Sequence, residues 1–183
     1  HLFTHAMFKA LRFLGAGSII HAVHSNEMSA MGGLRKYMPV THITFLVACL
    51  AISGIWPLSG FFSKDEILTA CFAYSPAMGW IMTAIAGLTA FYMFRLYYGI
   101  FWGRENRQLH AEHTPHEAPV TMTLPLVVLA VVTLGAGFIP FGHFVSSNGT
   151  AYDIHIDTTV ATISLCVAAV SYTHLRAHET KAN

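Results

Sequence analysis

Five apolar stretches separated by polar connectors set the pattern of the chain: about residues 2–21, 41–74, 78–102, 122–141 and 158–172. An α-helix rises 1.5 Å per residue and the hydrocarbon of a bilayer is about 30 Å thick, so roughly 20 apolar residues make one crossing. The second stretch is too long for one span, and Pro57, between Gly54 and Gly60, falls inside it. Proline removes a backbone donor and clashes with the preceding turn, which predicts a break near position 57. The pattern therefore predicts an all-α membrane protein, a polytopic transmembrane helix bundle with one discontinuous helix. Residues 1–172 are expected to form a partial transmembrane domain whose fifth span is short. Residues 173–183, where the composition changes abruptly, read as a polar tail, either a cytosolic end or sequence joined from elsewhere.

Composition agrees with a bilayer as solvent. Of 183 residues, 54% are hydrophobic and only 10% charged, with a mean hydropathy of +0.52. Soluble domains carry about 25% charged residues. A formal net charge of +1 leaves no broad basic face for nucleic acid. Lys and Arg alternate between connectors: Arg35 and Lys36 in 25–38, none in Ser75–Ala77, Arg104 and Arg107 in 103–119, none in 142–157, and Arg176 with Lys181 in the tail. The positive-inside rule then places 25–38, 103–119 and the C-terminus in the cytoplasm. Tyr97, Tyr98 and Trp102 suit an aromatic belt, and Arg95 is close enough to a span end to snorkel. No charged n-region with a cleavage site opens the sequence, so a portion of a longer polytopic chain is expected.

Within this apolar background Lys64, Asp65 and Glu66 stand in a row, and a charge at membrane depth costs roughly 2.5–3.5 kcal/mol on insertion scales. A helix broken at Pro57 leaves unpaired amides and carbonyls, tolerated in a membrane only where protein buries them or a hydrated cavity receives them. Lys64, one turn after Gly60, can reach the edge of that opening as a titratable group in a proton path, with Asp65 and Glu66 tuning it or relaying. The same run also fits a loop at the membrane surface. Upstream, His1, His5 and Lys9 are spaced i, i+4, i+8, within about 80° on one helical face. Two imidazoles and an amine on one stripe suit stepwise proton transfer. They equally suit interhelical hydrogen bonding with a snorkelling lysine. Arg12 lies beside the stripe and is expected to pair with a carboxylate.

Other polar residues carry weaker signals. His110, His113 and His116 with Glu112 and Glu117 read as a solvated loop, since Pro115 and Pro119 oppose a helix that could present a metal site. His21 and His24 read as an interfacial helix end, and His42, His143 and His155 as span boundaries. Cys49, Cys71 and Cys166 lie in apolar runs and read as small buried hydrophobes, with neither disulfide nor metal expected.

Three motifs resemble a known family. His1 to Leu11 is similar to the "HLxTHAxFKAL" helix, Met31 to Pro39 to the "MGGLRKxMP" loop, and Gly60 to Leu68 to the "GFFSKDEIL" signature of the antiporter-like L-type subunit of proton-pumping NADH:quinone oxidoreductase, respiratory complex I. The resemblance covers about residues 1–140. It implies proton translocation, with His1, His5 and Lys9 on the family's central hydrophilic axis and Lys64, beside Asp65, as the lysine of the distal discontinuous helix. The chain would be a C-terminal portion, and Arg12 stands where the family has an apolar residue. Redox catalysis would occur elsewhere: no cofactor is expected in this chain, and NADH, FMN, iron–sulfur clusters and quinone are expected in partner subunits. Implied partners are other membrane subunits, the lipid bilayer and protons, with no nucleic acid, in the bacterial inner (plasma) membrane. A multisubunit sodium/proton antiporter shares the lysine helix and the broken helix. A non-transporting scaffold, whose charges only pack helices, is the reading from a different class.

Overall fold

Helices account for the regular structure of the computed structural model, which describes residues 1–104, 114–139 and 158–181. In chain order they are α1 (Leu2–Val23), two single 3₁₀ turns (Met28–Ala30 and Leu34–Lys36), α2 (Pro39–Ser53), α3 (Ser59–Tyr74) and α4 (Pro76–Phe101). Then follow α5 (Val120–Gly135), which tightens into a 3₁₀ turn at Ala136–Phe138, and α6 (Thr158–Lys181). Among the described residues three segments are long and apolar enough to cross a membrane: Leu2–Val23, Pro76–Phe101 and Val120–Phe138. Proline opens both α2 and α4 at the first helical turn, where its missing N–H has no intrahelical partner to lose.

Helix α2 lies at the centre, packed on α1, α4 and α5, while α6 lies along α4. Phe45 from α2 meets Phe101 from α4 with ring centroids 5.7 Å apart. Phe94, Met93 and Leu34 complete a fully buried core on this side of α2, and Leu11 with Leu126 and Ala48 fill the other. Large apolar side chains such as Ile81, Ile85, Leu88, Leu124 and Val131 remain exposed. A continuous apolar exterior is what a helix bundle presents to lipid, not to water.

The two expected cytoplasmic connectors share one end of the bundle. Glu117 reaches across from the second to the start of α2, where its Oε2 accepts from Val40 N at 2.8 Å and its Oε1 from the Thr41 hydroxyl at 2.6 Å. The first amides of a helix have no internal partner and carry partial positive charge, so a carboxylate there is favoured twice over. At the same end the Arg35 guanidinium lies 3.8 Å from the centre of the Trp102 ring, a cation–π contact between the first connector and the end of α4. The expectation that Glu117 belongs to a solvated loop is therefore corrected: it caps a membrane helix. His110, His113, Glu112, His143 and His155 fall outside the described residues.

Of the two readings of the stretch 61–66, the surface loop is set aside: the stretch is helical within α3. Helix α6 continues past the apolar stretch that ends near 172 and runs to Lys181. Residues 173–181 contain no Gly or Pro and include Leu, Arg, Ala, Glu and Lys, all good helix formers, so the change of composition does not break the helix.

Replacing Glu117 by Ala should lower stability by about 0.5–2 kcal/mol, the range for losing an N-cap. Thermal unfolding in detergent, compared with Glu117→Asp, measures it; an unchanged midpoint would refute the capping role.

Candidate functional site: a charged cavity at the helix break

The site begins with what the end of α2 leaves unpaired. Gly54 adopts a left-handed conformation at φ 74° and turns the chain out of the helix. Its N–H returns to Ala51 O at 3.1 Å, and Ile55 N to Leu50 O at 3.2 Å. The carbonyl of Ile52 takes its hydrogen bond from the Lys64 ammonium, Nζ to O 2.7 Å. The cation thus sits on the negative end of the α2 dipole. Gly60 makes this approach feasible, because a Cβ at that position would overlap the carbonyl oxygen of Ala51. The first turn of α3 crosses directly over the last turn of α2, and Lys64, one turn further, reaches back over it.

A cavity of about 420 Å³ opens beside this contact, and its lining includes His1, His5, Lys9, Arg12 and Lys64. Four of the five residues singled out from sequence are brought together. The fifth, Asp65, is 1% exposed and lies outside the cavity lining. Successive residues of a helix point about 100° apart, so a helix that aims Lys64 into the cavity aims Asp65 elsewhere. Among the described residues the lining holds imidazoles, amines and a guanidinium without a carboxylate.

The α1 stripe enters the cavity in order. The rings of His1 and His5 are 5.5 Å apart, and His5 meets Phe8 edge-on at 5.2 Å. Lys9 is exposed on the same face. Arg12 lines the cavity with Nη1 3.3 Å from the Met93 sulfur and its guanidinium 5.4 Å from the Phe13 ring, where a carboxylate partner was expected. Two residues without a charge complete the site. Ser63 Oγ lies 3.0 Å from His1 Nδ1 and accepts from Thr4 Oγ1 at 3.2 Å, which ties α1 to α3.

Elsewhere, His42 Nε2 lies 2.7 Å from the Tyr97 hydroxyl near the connector end, a specific contact at a residue read only as a span boundary. His21 approaches His24 and His116 with ring centroids 6.2 and 6.3 Å apart. Among the described residues no three His, Cys, Asp or Glu side chains gather as a metal site. Cys49 is buried, Cys71 half-buried and Cys166 exposed, so the reading of all three as buried is corrected for Cys166, which lines an open groove between α4 and α6.

Replacing Lys64 by Met keeps an unbranched chain but leaves the Ile52 carbonyl, in a buried residue, without its partner. The cost should be about 1–3 kcal/mol, read from unfolding in detergent; a stability equal to the parent would show the 2.7 Å bond to be incidental.

Comparison with known proteins gives this geometry a family. The family described as NADH:quinone oxidoreductase/Mrp antiporter, transmembrane, matches residues 1–90. The NAD(P)H-quinone oxidoreductase chain 5 of Picosynechococcus is 46% identical over 78% of this chain and 26% of its own length. The chloroplastic NAD(P)H-quinone oxidoreductase subunit 5 of Chaetosphaeridium globosum is 45% identical over 76% of this chain and 23% of its own length. The corresponding protein of Mesostigma viride is 38% identical over 92% of this chain and 29% of its own. The chain spans about a quarter of the length of these relatives. Residues 1–90, which hold every charged and imidazole side chain of the cavity, thus match the antiporter-like transmembrane family of NADH:quinone oxidoreductases and Mrp antiporters.

Proposed function

We propose that the chain forms part of the L-type membrane subunit of a proton-pumping NADH:quinone oxidoreductase and carries protons through the cavity at its helix break. The observation that supports this most is the convergence of His1, His5, Lys9 and Lys64 on one cavity. Histidine exchanges protons near neutral pH, and an amine held against a single carbonyl can give up a proton without stranding a carboxylate. In this reading protons pass along the imidazoles of α1, and Lys9 and Lys64 alternately hold and release them. Asp65, buried one position on, contributes to the field around α3 from outside the cavity. The chain's own contribution is translocation; the redox steps and their NADH, FMN, iron–sulfur clusters and quinone belong to partner subunits. Its neighbours are other membrane subunits of the complex and lipid.

The membrane is an energy-coupling one. We assign it to the bacterial plasma membrane, as the sequence reading expects; relatives named from cyanobacteria and chloroplasts support energy coupling more generally. The end that carries Arg35, Lys36, Arg104 and Glu117 faces the cytoplasm by the positive-inside rule.

Arginine keeps a cation against the Ile52 carbonyl but stays protonated at any working pH. In the assembled complex, reconstituted in proteoliposomes, Lys64→Arg and Lys64→Ala should therefore both cut proton pumping severalfold while electron transfer from NADH to an artificial acceptor continues. Full pumping by Lys64→Arg would mean that the charge is structural. A gradient that required sodium without NADH turnover would favour the sodium/proton antiporter.

A further inference from the structure

We propose that Ser63 is a positioning residue whose hydroxyl switches partners with the charge state of His1 and passes that state to the first turn of α3; the inference rests on the proton-carrying reading above. Four polar atoms lie within reach of the one hydroxyl: His1 Nδ1 at 3.0 Å, Thr4 Oγ1 at 3.2 Å, and the carbonyl oxygens of Ser59 at 3.3 Å and Gly60 at 3.5 Å. The side chain is 8% exposed, so bulk water does not compete freely for it. A serine hydroxyl has one proton to donate and two lone pairs to accept with. Thr4 can fill one lone pair, dividing its own proton between Ser63 and the His1 carbonyl at 2.9 Å. The single Ser63 proton must then choose between the imidazole and the helix carbonyls.

The choice follows from the state of His1. A protonated imidazole donates from both nitrogens, so Nδ1–H points at Ser63 Oγ and the Ser63 proton turns to the carbonyls of Ser59 or Gly60. A neutral ring with its proton on Nε2 offers Nδ1 as an acceptor, and the Ser63 proton turns to it and releases the carbonyls. The bond to Ser59 O is the back-bond from a serine to the carbonyl four residues earlier, which bends a helix when it forms. Here it forms in the turn that contains Gly60, where α3 crosses the carbonyl of Ala51, and one residue before Lys64. Proton gain at His1 thus alters the turn that holds the Lys64 ammonium on Ile52. Other titratable or charged groups facing His1 around the cavity are His5, Lys9 and Arg12 along α1, Lys64 from α3 and Tyr92 from α4.

The test uses the assembled complex in proteoliposomes, with proton pumping per NADH oxidised measured against pH and the His1 imidazole followed by its ¹⁵N shifts. Ser63→Ala should move the midpoint of the pumping profile and the His1 titration together, by about threefold or more in proton affinity. Ser63→Thr, which keeps the hydroxyl, should restore both. Thr4→Val should move them less, because it removes a donor and leaves the switch. If Ser63→Ala does not assemble, Ser63→Cys, a weak donor, serves the same comparison. Profiles and His1 titration unchanged in Ser63→Ala or Ser63→Cys would overturn the proposal while leaving the proton-carrying reading intact. Full pumping by Lys64→Arg would instead remove the reading on which it rests.

Discussion

The carbonyl of Ile52 and the ammonium of Lys64 meet at 2.7 Å, one orphaned by the end of α2 and the other delivered by the first turns of α3. Each would be expensive alone at membrane depth: an unpaired backbone acceptor and an uncompensated cation both resist removal from water. Together each reduces the other's cost, and neither neutralises the other as a carboxylate would neutralise the lysine. The rest of the region is arranged around this contact. Gly54 turns the chain out of α2, the Gly60 crossing lets α3 approach, and the cavity leaves open space beside the ammonium.

The scaffold that holds the break is apolar on its outer face and well packed within. Phe45, Met93, Phe94 and Phe101 fix α2 against α4, and the Glu117 carboxylate fixes its other end. Helix α2 is thus constrained at both termini by side chains from distant parts of the chain, one anionic at the start and one cationic at the finish. Both follow the sign of the helix dipole. A helix of 15 residues, too short to cross alone, can persist in a membrane on those terms.

Much of this was legible from sequence because it depends on local chemistry. Proline and glycine act on their own backbone, so the break near Pro57 could be placed without knowing the fold. The helical period ties His1, His5 and Lys9 to one face in any setting. The same period turns Asp65 about 100° away from Lys64 on α3, and Asp65 is buried outside the cavity lining. Ile52 could not be found, since it contributes a main-chain oxygen, and every residue has one. Glu117 and Ser63 act on partners 76 and 62 residues away, distances at which pattern carries no information. Ser63 had only its place beside Lys64 to mark it.

The most direct measurement is solid-state NMR of the assembled complex in lipid with ¹⁵N-lysine and ¹³C-carbonyl isoleucine labels. The Lys64 Nζ signal is identified by its loss in Lys64→Met. The account predicts polarisation transfer between that nitrogen and the Ile52 carbonyl together with transfer from water, as expected of an ammonium bound to an orphan carbonyl in a hydrated cavity. Transfer from Lys64 Nζ to a carboxylate, with no contact to Ile52 or water, would contradict it.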